Sequence, residues 1–205
     1  MNRNFYAVAF GLAIAAYSGI SCAQFSMPSI PGVGGGSKAS SVTAEGLVKN
    51  YVSGTKLVMN SNTKFLTALG LKELSEKQAL ASKNLTEGAT SSGLEDAAKV
   101  QTESSKAMAD AMDSKQVVLS AEGKKTYTLG LIDLAGGIKS YLGMASDVKG
   151  FTPSLTSIGA SAGAAAYVVK SLPSSITSLK DTLTRSIAFA KENKIEVPAD
   201  ATSVL

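Results

Sequence analysis

Apolar and small side chains recur at every third or fourth position from residue 43 almost to the C-terminus. This spacing is typical of helices that bury one face and expose the other. Thr43 is a favourable N-cap for a first helix, and Gly70 is a favourable stop signal for it. A second, shorter helix follows and is predicted to end at Gly88.

The middle of the chain predicts two further helices. Ser92-Gly93-Leu94-Glu95 has the form of a capping box, in which the serine hydroxyl and the glutamate carboxylate satisfy free amides, so a third helix is predicted to begin there. A fourth helix is predicted over about 121–149, because its apolar side chains alternate steps of four and three residues. This seam consists of Tyr127, Leu131, Leu134, Ile138, Tyr141, Ala145 and Val148.

Three glycines form a second row on the fourth helix. Gly123, Gly130 and Gly137 are spaced by seven residues, and each costs about 1 kcal/mol of helix stability relative to alanine. Such a row is expected where a neighbouring helix comes very close, and a ligand contact is the less favoured alternative. Gly159 and Gly163 form a Gly-x-x-x-Gly pair farther along the chain and are predicted to allow close helix packing in the same way.

The last part of the chain predicts two helices and a tail. Thr152 and Pro153 are favourable at a helix start, and Pro173 is predicted to interrupt the fifth helix because it has no backbone N–H. A sixth helix follows, and residues 198–205 are predicted to be an irregular C-terminal tail. The predicted fold class is therefore all-α, a bundle of about five to six mostly antiparallel helices that occupies residues 43–197.

The N-terminus is predicted to be a cleaved secretory signal peptide. Residues 1–23 contain a short basic start, an apolar run and small residues up to Ala23, which is the order of such signals. The run is shorter than the roughly 20 apolar residues of a membrane-spanning helix, so a retained anchor is less favoured. Residues 24–42 are rich in Gly, Pro and Ser and are predicted to be a flexible linker. Export to the periplasm or to the outside of the cell is expected.

A lipoprotein signal is the alternative at Cys22, the only cysteine in the chain. There the cysteine would be lipidated and become the first mature residue, and the protein would be an outer-membrane lipoprotein. Gly19 stands where these signals usually carry a bulky residue, so cleavage after Ala23 is favoured. The mature chain then has no cysteine and no disulfide.

The composition excludes several classes of catalytic and metal-binding site. The chain has no histidine and no tryptophan. Histidine-dependent catalytic triads and zinc sites built from cysteine and histidine are therefore excluded, and no cofactor is predicted. Basic residues exceed acidic residues by four and are scattered singly, which is typical of a solvated surface and argues against nucleic acid as a partner.

Four side chains are candidates for an adaptable apolar groove. Met108 and Met112 lie one turn apart on the third helix, and Tyr127 and Tyr141 share the seam of the fourth helix. Methionine is flexible enough to fit varied apolar ligands. Packed core is nevertheless the commoner role for such side chains on an amphipathic helix.

Acidic residues offer weaker candidates for metal binding or catalysis. Asp110 and Asp113 lie three residues apart, but carboxylate metal sites in helical bundles also use Glu-x-x-His motifs, so surface charge is the favoured interpretation. Asp133 interrupts the most apolar part of the fourth helix but falls off its seam, and it is predicted to be exposed.

These observations favour an exported, non-enzymatic helical protein that acts by binding. Two forms of this hypothesis stay open, namely an envelope interaction or scaffold module with a protein partner and a carrier of an apolar small molecule between its helices. The alternative class is a membrane-active or pore-forming helical protein, based on the small-residue segment 159–166 and the long fourth helix. An enzyme that uses Asp, Lys, Ser or Tyr alone is the least favoured class, because the most usual acid–base group is missing.

Overall fold

The computed structural model describes residues 43–114, 117–151 and 160–205. Within these ranges the chain forms helices and turns but no strand, which confirms the predicted all-α bundle. The helices are α1 (Ala44–Ala68), α2 (Lys72–Asn84), α3 (Ser91–Asp113), α4 (Ala121–Gly150), α5 (Ala160–Glu192) and α6 (Ala199–Thr202). The predicted signal peptide and linker, and the predicted helix start at Thr152 and Pro153, lie outside the described residues.

Helices α1 and α4 form the most extensive contact in the bundle. They run antiparallel, since the start of α4 lies beside the end of α1. The Thr43 hydroxyl caps α1 by accepting the backbone N–H of Gly46 at 3.0 Å. Gly70 ends this segment with a left-handed backbone, φ 80°, which glycine adopts without steric cost. Both ends of the first helix therefore agree with the prediction.

Helix α4 also packs against α5 and α6. Leu131, Leu134 and Ile138 on its seam are completely buried. The Ser120 hydroxyl accepts the backbone N–H of Gly123 at 3.0 Å and caps its first turn. A helix with neighbours on several sides needs both the apolar seam and the row of small residues that its sequence carries.

Helices α2 and α3 differ from the prediction at their ends. α2 ends at Asn84 and not at Gly88, because Leu85 leaves the helix with an extended backbone and is itself buried. Thr90, and not Ser92, is the N-cap of α3, and its hydroxyl accepts the backbone N–H of Gly93 at 3.3 Å. Threonine is a good capping residue, so the earlier start lengthens the helix without losing the cap.

The predicted break at Pro173 is wrong, because α5 continues through this residue. A proline inside a helix removes one backbone hydrogen bond and costs about 3 kcal/mol. Pro173 itself is exposed, whereas Leu172 on one side of it and Leu179 and Leu183 on the other are buried in the core. The packing of both halves against the bundle outweighs the local preference of proline.

The predicted irregular tail is also different in the structure. Residues 199–202 form α6, and Ala201 and Val204 are buried. The Thr128 hydroxyl of α4 donates to the carbonyl oxygen of Glu196 at 3.0 Å, and the Lys180 ammonium of α5 donates to that of Leu205 at 3.0 Å. The C-terminus thus belongs to the packed domain, which extends beyond residue 197.

Candidate functional site

The glycine row of α4 lies against α1. A Cβ atom added at Gly137 would be 2.6 Å from Cγ2 of Val58 and 3.3 Å from the carbonyl oxygen of Gly54. A Cβ added at Gly130 would be 2.8 Å from the ring of Phe65. Carbon atoms without a bond between them normally stay about 3.5 Å or more apart. These two positions are therefore filled by the neighbouring helix and leave no room there for a ligand.

Gly54 of α1 is a further close-contact position, which was not predicted from the sequence. A Cβ added there would lie 2.7 Å from Cε1 of Tyr141. Its signal is a glycine deep inside a helix of 25 residues, which is unfavourable unless a neighbour needs the space. At the other end of the same interface, a Cβ added at Gly123 would be in ordinary contact with the Ala68 carbonyl oxygen, at 3.6 Å.

Gly163 differs from the close-packing prediction. It is exposed, and a Cβ added there would meet no described atom within 4 Å. Gly159 lies outside the described residues. The Gly-x-x-x-Gly pattern promotes helix contact in lipid, and in water it does not by itself specify a contact. Across residues 43–114, 117–151 and 160–205, no helix has the length and apolar character needed to cross a membrane.

The four groove candidates are core residues, which corrects the groove hypothesis. Each is less than a tenth exposed, namely Met108, Met112, Tyr127 and Tyr141. The Tyr127 hydroxyl lies 3.2 Å from Sδ of Met112 and donates to the Ser186 carbonyl oxygen at 3.2 Å. Tyr141 lies about four helical turns after Tyr127 on α4. Its hydroxyl oxygen is 2.6 Å from the hydroxyl oxygen of Thr55 on α1. Amphipathic helices bury their apolar faces, and the four candidates lie on the buried faces of α3 and α4.

Burial also changes the ionisation of the tyrosines. The rings of Tyr51 and Tyr141 are stacked with centroids 5.0 Å apart, and the ring of Tyr167 meets Tyr51 edge-on at 6.3 Å. Loss of water around the hydroxyl raises the pKa of Tyr141 well above its ordinary value near 10, and the same cause raises the pKa of Tyr127. Burial raises the pKa of Tyr167 to about 12. At neutral pH these hydroxyl groups are therefore protonated and serve as hydrogen-bonding groups.

We expect the protein to lose stability above a pH of about 10. In the unfolded chain Tyr127 and Tyr141 release their protons near that pH, whereas the folded protein holds both protons to higher pH. Their contribution is complete below the unfolded pKa and is lost as the pH rises toward the folded values. The expected slope is up to about 1.4 kcal/mol per pH unit for each tyrosine.

Urea unfolding across the range of about pH 9 to pH 12 tests this expectation. The unfolding midpoint should fall steadily as the pH rises. The double variant Tyr127→Phe and Tyr141→Phe should show a shallower fall, because phenylalanine has no proton to lose. A midpoint that stays constant in the unmodified protein would contradict the expected coupling.

The acidic candidates are partnered or lie at the surface. Asp133 was predicted to be exposed, but it is partly buried and pairs with Lys64 of α1, with Oδ2 and Nζ 2.5 Å apart. This partner is distant in sequence and becomes a neighbour only when α1 and α4 pack. Asp113 pairs with Arg185 at 2.9 Å, and Asp110 is exposed. In the described part of the chain, no cluster of three or more acidic, cysteine or histidine residues is arranged to hold a metal ion.

A patch of exposed apolar side chains lies on the outer face of α4. Leu129 and Ile132 are 50% and 43% exposed, and Leu57 of α1 is 38% exposed. Cδ1 of Leu57 is 3.7 Å from the position of a Cβ added at Gly136, so the two helices contribute to one surface. A Cβ added at Gly143 would meet no described atom within 4 Å. We call these five residues the outer α4 face.

Two charged residues lie at the ends of the outer α4 face. Lys125 stands four residues before Leu129, and Asp147 stands four residues after Gly143. Within the described ranges the ion pairs of α4 are made by Asp133 and Lys139, so neither Lys125 nor Asp147 has one. The face therefore has a positive end and a negative end. This surface was not predicted from the sequence, although the apolar residues off the α4 seam indicate it.

The chain matches no known protein family, no curated protein and no solved structure. No relative therefore supplies site residues for this fold. Function is therefore inferred from the surfaces and contacts of the chain itself.

Two surface grooves lie beside the helices, and charged side chains contribute to the lining of each. One lies between α3 and α5, and its lining consists of Glu95, Ala98, Lys99, Thr102, Glu103 and Tyr167. Another, between α1 and α2, includes Lys56, Lys64 and Lys83 in its lining. Sites for apolar small molecules are lined mainly by apolar side chains with few polar groups. Each groove instead has three charged side chains in its lining.

Proposed function

We propose that the protein is an exported, non-enzymatic binding module whose contact surface is the outer α4 face. The observation that carries this proposal is the exposure of Leu129 and Ile132 on a helix whose opposite side is completely buried. Contact with a partner removes such side chains from water, at about 25 cal/mol for each Å² of apolar surface. Apolar side chains that gather on one exposed face are for this reason typical of interaction sites.

The filled core supports a scaffold or interaction role over a carrier role. A carrier needs space between its helices, whereas Tyr127 and Tyr141 are completely buried and have hydrogen-bond partners. Opening the bundle for a ligand would break these contacts and would leave buried hydroxyl groups without partners, at a cost of about 1 to 3 kcal/mol each. A protein partner on the outside requires no such opening.

The predicted signal peptide favours binding outside the cytoplasm. A signal over residues 1–23 would direct the chain out of the cytoplasm, so the partner is expected in the cell envelope or outside the cell. Lipidation at Cys22 would hold the same module at a membrane surface without changing the outer α4 face.

Photo-crosslinking in the cells that produce the protein tests this surface. A benzophenone amino acid in place of Ile132 is expected to give one discrete protein adduct on illumination. Ser178 is an exposed residue of α5 and provides the matched control, where the same group is expected to give no adduct. Mass spectrometry of the adduct identifies the partner.

Two outcomes would overturn the proposed function. Absence of protein adducts at positions 129, 132 and 143 would show that the outer α4 face contacts no protein. Adducts with lipid alone, together with flotation of the purified chain on lipid vesicles, would instead support the membrane-active class. Either result removes the basis for a protein-binding module.

A further inference from the structure

We infer that the outer α4 face binds a second copy of this chain, in an antiparallel arrangement with a two-fold axis through Gly136. This inference rests on the proposed function, because it names the partner of the same surface. A two-fold contact requires a surface that is complementary to itself. The outer α4 face meets that requirement in the sizes of its side chains and in the charged residues at its two ends.

The positions of large and small residues are balanced about Gly136. In an antiparallel pair, residues equally far from the axis on either side face each other. Leu129 and Gly143 are each seven residues from Gly136, which is close to two helical turns, so all three stay on one face. The Leu129 side chain of one copy therefore lies over Gly143 of the partner, and the reverse contact forms at the other end.

The space available above the small residues of the face fits this arrangement. A Cβ added at Gly143 would meet no described atom within 4 Å, so the space above this glycine is open in a single copy. Ile132 and Ser140 are each four residues from Gly136 and again place a large side chain opposite a smaller one. On the axis itself, Gly136 allows the two helices to approach closely. Leu57 lies beside Gly136, so the two copies of Leu57 flank the axis and extend the apolar contact.

The charges select the antiparallel orientation. Lys125 and Asp147 are each eleven residues from Gly136, slightly more than three turns, and so lie in line with the apolar contacts. In the antiparallel pair each Lys125 faces the partner's Asp147, which forms two ion pairs. In a parallel pair in the same register, lysine would face lysine and aspartate would face aspartate. Charge complementarity of this kind sets orientation and register at interfaces.

A different protein partner would explain the exposure of Leu129 and Ile132 but not this balance. Nothing in a contact with an unrelated surface requires large residues to be matched with small ones, or lysine with aspartate, at equal distances from one glycine. A two-fold contact with a second copy requires both kinds of match, and they occur at three pairs of positions, namely 129 with 143, 132 with 140 and 125 with 147. The symmetry of the face therefore favours a copy of the same chain.

Analytical ultracentrifugation of the purified chain over a concentration series tests the inference. The unmodified protein is expected to show a reversible equilibrium between monomer and dimer. Gly143→Leu should abolish the dimer, because leucine fills the space that Leu129 of the partner occupies. Gly163→Leu is the matched control, since Gly163 is also an exposed helical glycine with no described atom near an added Cβ, and it should dimerise normally. Leucine is the better helix former at both positions, so both variants are expected to fold, which circular dichroism checks.

A charge reversal tests the register. Lys125→Glu is expected to weaken dimerisation about tenfold, because it replaces two attractive contacts by two repulsive ones. Adding Asp147→Lys to the same chain should restore the affinity. A Gly143→Leu variant that still dimerises, or a double variant that stays weak, would overturn the arrangement.

The two proposals fail in different ways. If the purified chain is a monomer at every concentration while the cross-links from position 132 join it to a different protein, the dimer is wrong and the proposed function stands. If the chain is a monomer and no protein cross-links form, both are wrong. Cross-links between two copies of the chain, together with a dimer that Gly143→Leu removes, support both.

Discussion

Gly137→Leu is expected to lower the free energy of unfolding by about 3 kcal/mol or more. A Cβ at this position would lie 2.6 Å from Cγ2 of Val58 and 3.3 Å from two backbone atoms, the Gly54 carbonyl oxygen and the Val58 nitrogen. Backbone atoms inside a helix cannot move aside as a side chain can, so α1 and α4 would have to separate. Leucine is the better helix former by about 1 kcal/mol, so a net loss shows that packing outweighs propensity.

Leucine substitutions at two other glycines provide comparison values for this loss of stability. Gly130→Leu should destabilise the protein less, because the atoms nearest to a Cβ there belong to the ring of Phe65 and not to the backbone of α1. Gly163→Leu should leave stability unchanged or raise it by up to about 1 kcal/mol, since the position is open. Urea unfolding followed by circular dichroism gives all three values. If Gly137→Leu unfolds at the same urea concentration as the unmodified protein, the close contact between α1 and α4 does not exist in solution.

Leu134→Ala is expected to cost about 2 to 5 kcal/mol, the usual range for a buried leucine that loses its side chain. Leu134 is completely buried on the seam of α4. The lost apolar contact and the cavity left behind both contribute, because densely packed neighbours relax only in part.

Leu80→Ala provides the matched control for this substitution. Leu80 of α2 is 60% exposed, so the same change in side chain removes little buried surface and should alter stability by less than about 0.5 kcal/mol. Thermal unfolding monitored by circular dichroism compares the two variants. Equal midpoints for Leu134→Ala and Leu80→Ala would mean that the α4 seam is not part of a packed core.

The fold class and the character of α4 were predictable because their signals are local. The spacing of its seam residues and of Gly123, Gly130 and Gly137 depends only on the period of the helix. The caps at Thr43 and Gly70 involve residues within a few positions of each other. Such interactions are present in any chain with this sequence that forms these helices.

Features that depend on distant residues were not predictable in the same way. Pro173 is favoured locally as a break, and the buried leucines on both sides of it are what keep α5 continuous. From the sequence alone, Asp133 is predicted to lie at the surface. In the structure, α1 places Lys64 beside it. The C-terminal residues carry no strong pattern of their own, and they become ordered through contacts with α4 and α5.

The outer α4 face illustrates the difference between what the sequence determines and what only the tertiary structure decides. The sequence by itself determined that α4 has apolar or small residues on several sides, because this follows from their spacing along one helix. Only the tertiary structure decided which sides are covered, since this depends on where α1, α5 and α6 pack. Gly137 and Leu134 are covered, whereas Leu129 and Ile132 stay in solvent. Periodicity cannot separate these cases, because a helix pattern records which residues share a face and not what lies opposite it.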